Sequence, residues 1–273
     1  MSGRNSEPGR SVLSKAFAIL DAMRTAEGGL TRAQLARRTG LPMTTVHRLA
    51  TELRRHGALE LTGSGRYRVG PWLWEVGTLT RHSLALRDIA LPHLQDLYEA
   101  THENVQLAVL DGFDALVVER IRGRRSVPIV SRVGGRLPLH PTGVGKVLLA
   151  FSPEPFVEQV IDRGLVSYTS QTITSPEALR HALAQTRARG FSVTRDEMTP
   201  NTVSVAAPIR LADEALVGAI SVVVEARTAD VGRLAPAVRT VAMGLSRRIG
   251  ERWDLAAALM PGQPVAPGAS EVA

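Results

Sequence analysis

The chain is 273 residues long, with a formal net charge of +7, no cysteine, 44% apolar residues and a mean hydropathy of +0.00. That length suits two domains, or one large one, with ample core, and the missing cysteines exclude a disulfide framework, thiolate zinc, iron-sulfur clusters and a cysteine nucleophile. The opening MSGRNSEPGR lacks the apolar run of a secretory signal, and the longest uncharged apolar stretch, Ala215 to Val224, is about half of the ~20 residues a spanning helix needs, so a cytoplasmic protein with no membrane partner is expected.

The charge is unevenly placed. Residues 1–70 carry twelve Lys and Arg against five acids, which is the whole excess, and the remainder of the chain is balanced. This is the footprint of a polyanion-binding module joined to a neutral one. Aromatic residues are only 4%, which leaves few platforms for stacking single-stranded bases and favours duplex DNA, hence a location at the nucleoid.

Residues 1–10 read as a disordered lead. Val12, Ala16, Ile19, Leu20 and Met23 then recur at helical spacing until Gly28 and Gly29. Thr31 followed by Gln34 is a capping-box signature that opens a second helix, TRAQLARRT, which buries Leu35 and Ala36 and stops at Gly40. Leu41 and Pro42 lead into a third, MTTVHRLATELRRHG, with Val46, Leu49, Ala50 and Leu53 on its core face. Relative to the small Ala36, the turn glycine falls at +4 and the two apolar residues of the third helix at +10 and +13, the spacing of a helix-turn-helix. The outward residues Thr44, Thr45, His47, Arg48, Thr51, Arg54 and Arg55, with Thr31 and Arg32 at the start of the second helix, form the candidate DNA-reading set: short hydroxyls suit phosphates, and arginine suits a guanine edge or a phosphate. Leu59 to Leu61, a TGSGR turn and Tyr67 to Val69 form a β-wing, with Arg66 placed to reach the DNA backbone or minor groove.

Residues 71–84 are expected to be a linker and dimerisation helix, because Trp72, Leu73, Val76 and Leu79 make an apolar stripe too large for a solvated helix. The segment to Thr101 reads as one or two helices interrupted near Pro92. Residues 85–255 form a second domain. Val105–Leu110 and Ala115–Ile121 flank a turn as a hairpin, Ile129–Val130 is a short strand, and Thr142–Phe151, Glu154–Arg163 and Pro176–Arg189 are helices. Phe191–Arg195, Val203–Ile209 and Leu216–Glu225 are strands, Asp230–Trp253 is a closing helix and residues 256–273 are a flexible tail. An antiparallel sheet with segregated helices makes this an α+β domain sized for one small ligand. The helix opening at Thr142 offers free amides to an anion such as a carboxylate. Ser204 and Ser221, on neighbouring strands, offer hydroxyls, and Val223 an apolar contact.

Two segments, GGRLPLHPTGVGKVLLA (Gly134 to Ala150) and the DE...SVAAPIR...LVGAISVVV series from Asp196 to Val224, together with the winged helix, resemble the IclR family of bacterial transcriptional regulators over about Ser11 to Arg252. The resemblance implies a GAF-like effector domain and a dimer or tetramer, and it sets Gly143, Val144, Asp196, Ser204 and Ser221 at effector-lining positions. The chain departs from the family where Gly-Val commonly follows the acidic pair and Asn201-Thr202 stands here.

An enzyme is the rival reading. GVGK fails as a phosphate loop because His140 and Val147 stand where glycine and a hydroxyl are needed, no GxSxG or HExxH occurs, and the seven histidines show no paired metal spacing. No metal or cofactor is expected. The expected function is a ligand-responsive DNA-binding regulator acting on a pseudo-palindromic operator and sensing a small organic carboxylate. A constitutive DNA-binding protein whose second domain only oligomerises is the remaining alternative.

Overall fold

Ser11 accepts a hydrogen bond from the Ser14 amide and so opens α1 (Val12–Met23). The computed structural model describes residues 10–26, 28–79, 81–123 and 126–251, and the chain divides into two units, 1–80 and 81–273. In the first unit α1 is followed by β1 (Leu30–Thr31), α2 (Arg32–Thr39), α3 (Met43–Arg55), β2 (Leu59–Leu61), β3 (Arg66–Val69) and α4 (Pro71–Gly77). The expected capping box is formed: Thr31 Oγ1 accepts from the Gln34 amide and Gln34 Oε1 accepts from the Thr31 amide, an arrangement worth about 1 kcal/mol. Gly40 closes α2 at φ 70°, in the left-handed region that glycine enters without penalty.

Ile19, Met23, Leu35, Leu41, Val46, Leu49, Ala50, Leu59 and Tyr67 make one core beneath the antiparallel sheet β1-β3-β2. Ala36 and Leu53 pack at its edge. Val12, expected inside, is exposed, and so are Leu13 and Phe17, so α1 carries a second apolar face that the core does not use.

The second unit runs α5 (Arg81–Thr101), β4 (Asn104–Asp111), β5 (Asp114–Ile121), β6 (Arg136–Pro138), α6 (Gly143–Ala150), α7 (Glu154–Asp162), α8 (Pro176–Arg189), β7 (Ser192–Arg195), β8 (Thr202–Arg210), β9 (Leu216–Glu225) and α9 (Val231–Gly250). Its sheet is antiparallel throughout, in the order β6-β5-β4-β9-β8-β7. Strand alternation gives the sheet two unlike faces. Leu107, Val203, Val205, Ile220, Val222 and Val224 pack with Leu86, Leu94 and Leu97 of α5 and Val238, Ala242 and Leu245 of α9. The opposite face carries small or polar residues in two cross-strand rows, Gln106-Ser221-Ala206-Ser192 and Asn104-Val223-Ser204-Thr194. Part of this face packs with the apolar residues of α6, α7 and α8, and the polar part supplies the candidate site.

Three expectations are corrected here. The break after the wing falls between Gly77 and Arg81, and Pro92 lies inside α5. Pro92 is exposed, as is Pro236 within α9. A missing amide on the solvent side interrupts no core contact, while Leu86, Ala90, Leu94 and Leu97 keep the helical period on the other side. Ile129–Val130 is not a strand: the connection carrying it is held by Asn104, whose side-chain amide donates to the Val127 carbonyl. Finally, the apolar runs Val203–Ile209 and Leu216–Glu225 suggest that β8 and β9 are the central pair, but β4 and β9 hold the centre, and the apolar run of β8 arises because this strand, too, is covered on both faces. Trp253 and the tail expected at 256–273 lie outside the described residues, as do residues 1–9 of the expected lead.

Candidate functional site

On α3, Thr44, His47, Arg48, Thr51 and Arg55 follow one another at i, i+3, i+4, i+7 and i+11 and so share the face opposite Val46, Leu49 and Ala50. Thr44, His47, Arg48, Arg54 and Arg55 are exposed, and Thr45 and Thr51 are half-buried. Pro42 at the N-cap makes no side-chain cap, which leaves the first amides of α3 open to an acceptor such as a phosphate oxygen. Glu52 engages Arg55 at 3.2 Å and His56 at 3.4 Å. Arg32 is exposed on α2.

Arg66 is half-buried and engaged within the fold. Its guanidinium donates to the Gly29 carbonyl at 3.1 Å and to Gln34 Oε1 at 3.3 Å, which ties β3 to the entry of α2. This arginine serves the fold of the wing; Arg68 is the exposed arginine of β3. The Thr31 hydroxyl is likewise occupied by its cap.

In the second unit a cavity of about 50 Å³ opens on the polar sheet face, beside the start of α6. Of the residues named from the sequence, Gly143, Val144, Ser204, Ser221 and Val223 line it together. Thr142 caps α6 by accepting from the Gly145 amide. The amides of Gly143 and Val144, in the first turn, have no intrahelical acceptor and carry the positive end of the helix dipole.

Asp196 is not among the lining residues. It sits at φ 58° and accepts from the Thr202 amide at 3.0 Å, so its carboxylate caps the β7–β8 turn. Asn201 also takes φ 58°, a left-handed conformation that asparagine tolerates better than most residues. The following Thr202 is buried against the cavity.

Sequence reasoning missed Gln106, Ser131, Thr194, Met198 and Thr199 as lining residues; Ile129, Val130, Leu137, Pro141, Thr142 and Thr202 complete the lining. Gln106 and Thr194 were within reach of it: each is a polar residue in a buried strand, on the same side as Ser221 and Ser204. Ser131, Met198 and Thr199 lie in connections, where no period marks a face.

The turn bearing Met198 and Thr199 is fixed from behind. Lys146, on α6, pairs with Glu197 in the turn, and both are buried. Burial pushes the Lys146 amine below its ordinary range, against the opposing pull of Glu197. Thr169 Oγ1 donates to the Asp196 carbonyl and Thr172 Oγ1 to the Glu197 carbonyl, each at 2.6 Å. His140 Nε2 donates to the Val166 carbonyl at 2.9 Å, which fixes its proton on Nε2, and burial lowers the imidazole's pKa.

A winged helix-turn-helix joined to a sheet domain with a small-molecule cavity defines a DNA-binding regulator with a sensing domain. The family model "IclR helix-turn-helix domain" matches residues 12–63, and "Bacterial transcriptional regulator IclR C-terminal" matches residues 78–247. The chain is 33% identical over 225 residues to the HTH-type transcriptional regulator KipR of Bacillus subtilis, covering 81% of this chain and 90% of that one. It is 33% identical over 245 residues to the glycerol operon regulatory protein of Streptomyces coelicolor, covering 87% and 96%. Among solved structures, an IclR homologue from Microbacterium hydrocarbonoxydans complexed with 4-hydroxybenzoate aligns with a TM-score of 0.81 at 30% identity, over 88% of this chain and 99% of that one. The chain belongs to the IclR family and is a DNA-binding transcriptional regulator with a C-terminal effector-binding domain.

Proposed function

We propose that this regulator reads a pseudo-palindromic operator through Thr44, Thr45, His47, Arg48, Thr51, Arg54 and Arg55 of α3, with Arg32 of α2 at the phosphates. Its effector is a small carboxylate held at the Gly143 and Val144 amides. The observation that carries the second half is the cavity at the start of α6, where free amides meet the Ser204 and Ser221 strands. The Microbacterium homologue holds an aromatic carboxylate, which supports the same ligand chemistry. In this reading residues 11–70 bind DNA, 71–84 join and dimerise, and 85–255 sense.

Self-association is assigned to the exposed apolar surface of Trp72, Trp74, Val76 and Leu79, where Trp74 is 72% exposed. A dimer sets two α3 helices in successive major grooves about 34 Å apart, and the effector shifts the relative populations of their poses. The chain acts by binding, without catalysis, in the cytoplasm: the two titratable side chains bracketing Pro141–Gly145, His140 and Lys146, are already engaged by Val166 and Glu197. No helix of the described residues is long and apolar enough to cross a membrane.

The test is a gel-shift titration of the full chain on duplexes selected from a random pool, with and without short and aromatic carboxylic acids. Selection of a two-fold symmetric site whose affinity changes with an acid is expected. Operator affinity indifferent to every acid, together with melting temperatures that no acid raises, would overturn the effector reading.

A further inference from the structure

Among the described residues, four buried side-chain atoms have no hydrogen-bond partner, and two of them, Gln106 Oε1 and Ser131 Oγ, belong to residues lining this one cavity. Both residues are only 4% exposed. Folded proteins seldom leave such atoms unsatisfied, because each costs about as much as a lost hydrogen bond. Gln106 stands directly across the β4–β9 ladder from Ser221. Ser131 reaches the cavity from the connection that Asn104 and Arg120 pin, through the Val127 and Ser131 carbonyls. The two orphaned groups therefore come from separate, anchored elements.

We infer that the effector carries, besides its carboxylate, a hydroxyl that Gln106 and Ser131 read, which makes these two the specificity-determining side chains of the site. The inference rests on the carboxylate reading above. A carbonyl oxygen such as Gln106 Oε1 accepts only, so the ligand must present a donor, and the Ser131 hydroxyl both donates and accepts hydrogen bonds, as a ligand hydroxyl does. The donor is neutral. No ionisable side chain lines the described cavity, so an ammonium group would find no counter-charge on the protein and would lie close to the positive end of the α6 dipole. The effector class is thus a hydroxy acid, anchored at Gly143 and Val144 and recognised through its hydroxyl.

The test compares matched acids on the full-length protein by calorimetry: glycolate with acetate, lactate with propionate, and 4-hydroxybenzoate with benzoate. At least one pair should favour the hydroxy acid by about 10- to 100-fold, the cost of leaving one or two buried groups unpaired. Gln106→Met and Ser131→Ala should each shrink that preference by weakening the hydroxy acid while leaving the plain acid unchanged or tighter. Because an unpaired polar group is being replaced by an apolar one, the ligand-free variants should melt no lower than the parent. Equal binding within every pair, or a preference that survives both substitutions, overturns the inference and leaves the carboxylate reading standing. Binding of no acid at all overturns both. A large fall in the melting temperature of ligand-free Gln106→Met would make Gln106 a structural residue and also overturn it.

Discussion

Gly143 and Ser204 approach so closely that a Cβ on the glycine would lie 2.4 Å from Ser204 Oγ and 3.1 Å from Ser204 Cβ, with Ala206 Cβ at 3.4 Å. The start of α6 can rest on β8 only because residue 143 has no side chain. The Ser192 hydroxyl, donating to the Gly143 carbonyl at 2.8 Å, holds it there. Gly143→Ala must push the first turn away from the sheet, at a cost of about 1–3 kcal/mol, and carry the Gly143 and Val144 amides with it. Carboxylate binding measured by calorimetry should weaken about tenfold or more, with operator affinity unchanged. Adding Ser204→Gly should recover part of the loss; a double variant no better than the single would show that the contact with Ser204 is not the cause.

The α3 surface separates reading from folding. Arg48→Ala should weaken binding to the selected operator by about 1–3 kcal/mol in a gel-shift titration, with the melting temperature unchanged, since Arg48 is exposed. Arg66→Ala should do the reverse. It removes the bonds to Gly29 and Gln34 and should cost about 1 kcal/mol of stability, with little effect on which operator bases are preferred. Intact operator affinity in Arg48→Ala would remove that residue from the reading set.

Lys146 and Glu197 illustrate a buried pair that is costly to split. Lys146→Met leaves the Glu197 carboxylate buried without its partner, and its Oε2 already lacks one. Urea unfolding followed by far-ultraviolet circular dichroism should show a loss of about 3–5 kcal/mol. Lys146→Met combined with Glu197→Leu should recover most of it, because the stranded charge is gone. The same turn carries Met198 and Thr199, so the single variant should also bind carboxylates more weakly.

Acid should destabilise the second unit through His140. Burial lowers its pKa below the ordinary 6.5, so the folded chain takes up this proton less readily than the unfolded chain. Above pH 6.5 the imidazole is neutral in both states and has no effect on stability. As the pH falls through 6.5 towards the folded value, unfolding takes up the proton and stability drops. Glu197 opposes the shift and Lys146 adds to it. Melting temperatures of His140→Gln should fall less steeply between pH 7 and pH 5 than those of the parent; identical slopes would locate the acid sensitivity elsewhere.

Local signals placed the elements well. Thr31 with Gln34, and Gly40, mark helix ends because a cap is satisfied within a few residues of chain, and Val46, Leu49 and Ala50 mark a buried face because the helical period sets it. Pro92 misled: a proline breaks a helix where its amide is needed, and whether it is needed depends on which side the core lies. The bonds of Arg66 were hidden for a related reason, since their acceptors, Gly29 and Gln34, lie 37 and 32 residues away.

From the sequence alone came the charged first unit, the helix-turn-helix, the alternating strands and the Gly143–Ser204–Ser221 half of the cavity. The first three depend on spacing along one chain or on a short motif, and the last also on the family resemblance. Only the tertiary structure decided that Asp196 caps a turn, that Lys146 and Glu197 lock the wall behind the cavity, and that Gln106 and Ser131 face into it unpaired. Each of these is a question of which distant group arrives at a buried polar atom, and neither period nor composition encodes that meeting.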